Sequence, residues 1–150
     1  MAFSCGLALL PISQGSTATP PETRLGVSYI APGEVAFVDL NTIRRLGNSV
    51  DGWGLNVYKT PKDIGTGRPV SEHWTQFRID CAKATILILW LSIRENGVAS
   101  MKGPYNRTIQ ATADNGWGKV WSHACRSSYV FNKPYSSETA AIAAARTYFR

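Results

Sequence analysis

One run limits the fold more than any other: "KATILILWLSI", Lys83 to Ile93, is apolar at consecutive rather than alternate positions. A strand wet on one face alternates apolar with polar residues, so an unbroken apolar run of strand length belongs inside a sheet covered on both faces. The runs around it carry the period of two. "HWTQFRIDC" sets Trp74, Gln76, Arg78 and Asp80 against Thr75, Phe77, Ile79 and Cys81, and the second set points Cys81 inward. "SVDGWGLNVYK" puts Trp53, Leu55, Val57 and Lys59 on one side and Gly54, Asn56 and Tyr58 on the other, which predicts a half-buried strand. "LGVSYIA", ending at Pro32-Gly33, and "EVAFVDL" predict two more strands. "NTIRRLGNS" reads as a connector, with Gly47-Asn48 tolerating the positive φ of a turn. "TPKDIGTGRPVSE" reads as a long loop, and "GVASMK" as the hairpin partner of the apolar run across a Glu95-Asn96-Gly97 turn. Strands in unbroken succession imply an antiparallel sheet.

After Met101 the character changes. "GPYNRTIQATADNG" is a polar excursion, and in "WGKVWSHACR" Trp117, Val120, Trp121, Ala124 and Cys125 fall at helical spacing, laying Cys125 against the sheet. "SSETAAIAAARTYFR" predicts a closing helix: Ser136 and Ser137 as caps, Glu138 in the first turn, and Arg146 and Arg150 at the end suit the helix dipole. Its stripe is Ile142, Ala145 and Phe149, and so short a helix holds only when docked. The fold expected is α+β: one antiparallel sheet of about five or six strands, with one or two flanking C-terminal helices. At 150 residues with 44% hydrophobic content, this is a single domain with a modest core.

The N-terminus bears on location. Met1 to Pro21 holds no charged residue, "AFSCGLALLPI" is as long as a secretory apolar core, and Ser16-Thr17-Ala18 offers small residues for cleavage. We expect a signal peptide over 1–18, although the chain opens on Met-Ala-Phe without the usual Lys or Arg; a cytosolic terminus is the alternative. Pro11, Ser13, Gln14 and Gly15 break the run below the length of a membrane anchor, and Ala-Phe-Ser before Cys5 is a poor lipidation context. Cleavage removes Cys5 from the three cysteines and leaves Cys81 and Cys125, either as one disulfide or as two reduced buried thiols. The expected address is extracytoplasmic: periplasm, cell surface or secreted.

Function is less legible. A formal charge of +6 favours acidic partners, but the charges are scattered and form no basic helix, so nucleic acid is not expected. Arg44, Arg45, Lys59, Lys62 and Arg68 lie in or beside two neighbouring loops and offer one basic edge to an acidic protein or glycan, with Tyr58 and Trp53 adding aromatic contact. The structural alternative is a sheet edge guarded by charge and a Trp in the core. No metal-ligand spacing links His73 and His123 to the cysteines, and no cofactor is expected. Residues two apart on a helix diverge, so Cys125 and His123 make no nucleophile-base pair. Asp39 and Asp80 as an acid-base couple compete with a simpler use, Asp39 holding the amides of "NTIRR".

Five short motifs taken in order carry a resemblance. Phe37-Val38-Asp39, then Thr42-Ile43-Arg44-Arg45-Leu46-Gly47, then Trp53, Cys81, and Trp117 leading to Ala124-Cys125 follow the order seen in the surface-adhesin protein E-like family of small bacterial exported domains. The chain resembles that family from Leu25 to Cys125. The resemblance implies an antiparallel sheet with a flanking helix, a Cys81–Cys125 disulfide, exposure outside the cytoplasm, and binding of extracellular proteins. The domain so defined spans 19–128, with 129–150 as a helical tail packing on the sheet. The expected function is an exported, non-catalytic binding or envelope-interaction module for extracellular protein or acidic glycan. The alternative is a small extracytoplasmic hydrolase.

Overall fold

Six consecutive strands pair antiparallel in chain order: β1 (Leu25–Ala31), β2 (Glu34–Leu46), β3 (Ser49–Asp63), β4 (Pro69–Asp80), β5 (Thr85–Glu95) and β6 (Val98–Lys102). A seventh, β7 (Arg107–Gln110), returns to β5 and pairs with Thr85–Ile88, while β6 pairs with Leu91–Glu95. The computed structural model describes residues 22–95 and 98–150; the expected leader at 1–18 and the Asn96-Gly97 turn lie outside them. The apolar run is β5, flanked on both sides, with Ile86, Ile88, Leu91 and Ile93 buried.

Three expectations are corrected. The "NTIRR" connector is strand: β2 continues past a register shift between Asp39 and Arg44, and Arg44, Arg45 and Leu46 pair with Asp51, Val50 and Ser49. Thr42 holds the bulge, its hydroxyl donating to Asp39 O and accepting from Trp53 N. The long loop shrinks to 64–68, because Lys62 and Asp63 pair with Val70 and Pro69, and one Asp63 oxygen accepts the amides of Gly65, Thr66 and Gly67. The polar excursion contains β7, which carries one half-buried apolar residue, Ile109, and so shows no periodicity.

Alternation then assigns the faces. Val38, Val50, Phe77, Ile79 and Ile86 share one face with helix α1 (Gly116–Trp121), whose Val120 is buried among them, and with Phe131. Asn115 caps α1 by accepting from Gly118 N, and a wider π-helical turn, Ser122–Arg126, extends it. On the opposite face Val35, Phe37, Leu55 and Val57 pack against Ala141 and Ala145 of α2 (Glu138–Tyr148), capped by the Ser137 hydroxyl. β3 is thus covered on both sides at Gly54 and Leu55, where half-burial was expected. Fully burying a side chain such as Phe77 or Leu55 contributes about 1.5–3 kcal/mol, so the two small cores hold the helices without long interfaces. Cys81 and Cys125 are bonded with their Cα atoms 5.5 Å apart, which ties the end of the α1 segment to the turn after β4.

Candidate functional site

Helix α1 and the disulfide close one end of their sheet face. Towards the other end, the positions that would complete an apolar face carry Glu34 from β2, Asn56 and Tyr58 from β3, and His73 and Thr75 from β4. Register brings them together: Glu34 pairs with Tyr58 and Asn56 with His73. They form the floor of a cleft of about 400 Å³, within the size range of small-ligand sites. Lys62 stands at one side, Tyr105 and Arg107 come from the segment entering β7, and Trp117 comes from α1. A second hollow of about 270 Å³ shares Glu34, Asn56 and Trp117 as walls and runs among Val38, Phe77 and Val120.

The floor is polar but mostly internally matched. Asn56 Nδ2 donates to Glu34 Oε1 at 2.8 Å, and Lys62 Nζ lies 3.8 Å from Glu34 Oε2 and 5.2 Å above the Tyr58 ring. Tyr58 and His73 stack with centroids 5.7 Å apart and planes 20° apart. Burial, reinforced by the Glu34 carboxylate, pushes the Tyr58 hydroxyl well above the usual phenol range. Burial, with Lys62 nearby, lowers His73 to about 4, so both rings are neutral at physiological pH. His73 is 7% exposed, and its buried Nδ1 has no hydrogen-bond partner.

The basic residues singled out from sequence do not share one edge. Lys62 and Tyr58 line the cleft, and Lys59 borders the shallow depression beside it, lined also by Gly33 and Thr60. Arg68 sits in the adjoining β3–β4 loop. Arg44 and Arg45 lie at the opposite end of β3: Arg45 pairs with Val50, twelve residues from Lys62, or about 40 Å of strand. There Arg45 Nη2 donates to Ala124 O and Cys125 O at 3.2 Å each, holding the carbonyl end of the α1 segment, while Arg44 Nη1 donates to Ile43 O. Trp53 is half-buried on the α2 face, away from the cleft.

Both carboxylates weighed as acid and base have backbone roles. Asp39, buried, accepts from Arg24 N and Asn41 N; Asp80 accepts from Ala82 N and Lys83 N, and these contacts hold its carboxyl below the usual range. Among the described residues no group of three His, Cys, Asp or Glu is placed to hold a metal ion, and no helix is long and apolar enough to cross a membrane. Sequence reasoning missed Glu34, Asn56, His73, Tyr105 and Trp117 as neighbours. The signal was present in the small and polar set Gly54, Asn56 and Tyr58, facing inward where a covered strand should be apolar.

No family model matches the sequence, and no curated protein matches it. Among solved structures the chain is similar to the crystal structure of protein E from non-typeable Haemophilus influenzae: 10% identity, 88% of this chain and 92% of that chain covered, TM-score 0.45.

Proposed function

We propose that the chain is an exported, non-catalytic binding module of the cell envelope, and that the cleft over β2, β3 and β4 is where it meets an extracellular protein or glycan. The observation that carries this reading is His73 Nδ1. Native proteins bury polar atoms with partners, and His73, which lines the cleft, carries a buried Nδ1 that nothing in the fold satisfies, a mismatch of the kind that marks a functional site. Tyr58 and Lys62 are the contact residues, with Lys59 and Arg68 near the rim. Binding is favoured over hydrolysis because Asp39 and Asp80, the carboxylates an acid-base pair would use, are engaged by backbone amides. Export is supported by the Cys81–Cys125 bond, since such bonds persist in oxidising compartments.

Binding of the wild type, Lys62→Glu and His73→Phe to immobilised extracellular matrix proteins and glycans tests the reading. Loss in both variants, with circular dichroism unchanged, is expected; full binding by both overturns the cleft as the contact. Mass measurement of the native protein should show a shortened N-terminus and two mass units fewer than the reduced form. An intact N-terminus with free thiols would remove the case for export.

A further inference from the structure

We infer that the cleft takes a neutral saccharide, a proposal that rests on the binding reading above and names its ligand class. The first argument is charge. Glu34 and Asp63 face Lys62 and Arg107 around the same hollow, so the lining carries no net charge, and a charged ligand would be desolvated there without a surplus of opposite sign to receive it. A +6 chain suggested an acidic glycan; the cleft itself does not.

The second argument is the kind of polar group on offer. Glu34 keeps acceptor capacity beyond its bonds to Asn56 and Lys62, Asn56 keeps its carbonyl oxygen, Tyr58 keeps a protonated hydroxyl, and His73 keeps an orphan Nδ1. These are donors and acceptors spread over three adjacent strands about 5 Å apart, a spacing that suits alternate rather than adjacent hydroxyls of a pyranose ring. The third argument is the walls. Trp117 is held edge-on against Phe77 at 5.1 Å, and Tyr105 is anchored by its amide to Leu89 O at 3.0 Å. An aromatic face is electron-rich and attracts the polarised C–H face of a pyranose, whereas the hydroxyl edge of the sugar turns to the polar floor. The apolar hollow beyond Trp117, among Val38, Phe77 and Val120, has room for a small apolar substituent such as an N-acetyl methyl.

Titration followed by amide chemical shifts, using the disulfide-bonded protein with tri-N-acetylchitotriose, maltotriose and a heparin hexasaccharide, tests the inference. A neutral trisaccharide should perturb amides of Glu34, Asn56, His73 and Trp117, and His73→Phe and Tyr105→Ala should each weaken it by about tenfold while leaving the rest of the spectrum in place. Binding of heparin alone, or neutral-sugar binding untouched by both variants, overturns it. If no sugar binds but the same variants abolish binding to a matrix protein, the saccharide is wrong and the binding module stands. If neither binds, both fall.

Discussion

His73 makes the structure testable by a single titration. Its ring is held in the neutral form near a value of about 4, against 6.5 for a free histidine, chiefly because burial penalises the charge. As pH falls, the unfolded chain therefore takes up the proton first. Stability is complete above about pH 6.5 and is lost as the pH drops towards 4. At about 1.4 kcal/mol per pH unit the full effect is about 3 kcal/mol, of which about 2 kcal/mol falls between pH 7 and 5. For a domain of this size, that lowers Tm by roughly 4–8 °C over the same interval. His73→Phe keeps a ring stacked on Tyr58 and removes the buried nitrogen without a partner. The variant should be as stable as the wild type or more so at pH 7, and its Tm should change little between pH 7 and 5. Asp80, whose depressed carboxyl is protonated only at lower pH, acts below that window and equally in both proteins. Calorimetric melts of both proteins at pH 5, 6 and 7 are sufficient. An identical drop in wild type and variant would refute the assignment of the pH sensitivity to His73.

Arg45→Ala, which frees the carbonyls of Ala124 and Cys125, should cost about 1 kcal/mol in urea unfolding, while Arg44→Ala should stay within about 0.5 kcal/mol. Reduction of the disulfide, which spans 44 residues, should lower stability by about 4 kcal/mol, read as a shift of the urea midpoint with and without reductant. Gly26→Ala places a methyl 2.6 Å from the Phe131 ring and should destabilise by about 1–3 kcal/mol; an unchanged Tm would mean that Phe131 does not pack there.

The sheet was legible because its strongest signals are local. An apolar run bounded by turn residues had to be β5, the two-residue period fixed the faces of β3 and β4, and Ser137 with Glu138 marked the start of α2. Strand lengths were not, because the bulge between Asp39 and Arg44 breaks alternation, and only the pairing of Arg44 with Asp51 shows that the strand resumes. β7 is four residues long, too short to carry a period, and exists because β5 offers it an unpaired edge. Of the residues singled out for a basic edge, Tyr58 and Lys62 line the cleft; Arg44 and Arg45 are close to them in sequence alone, because two loops joined by one strand lie at its opposite ends. His73 and Trp117 are separated by more than forty positions in the chain, and their approach depends on strand register and on how α1 folds back, neither of which a one-dimensional pattern contains.

The division of the β5 edge between β6 and β7 has an outcome for how such a domain can change. The chain leaves the sheet at 103–106, presents Tyr105 to the cleft, and rejoins the same edge with one intervening backbone rung to Leu89. One wall of the cleft is therefore an excursion between two short strands, whose Tyr105 packs against the margin of the α1-side core. Its exposed positions, Gly103, Pro104 and Asn106, lie outside the ladder from β1 to β5 and away from the bonded end of the molecule. The proposed binding cleft and the disulfide thus sit towards opposite ends of one sheet, so exposed residues at the first can change while the bond at the second stays in place.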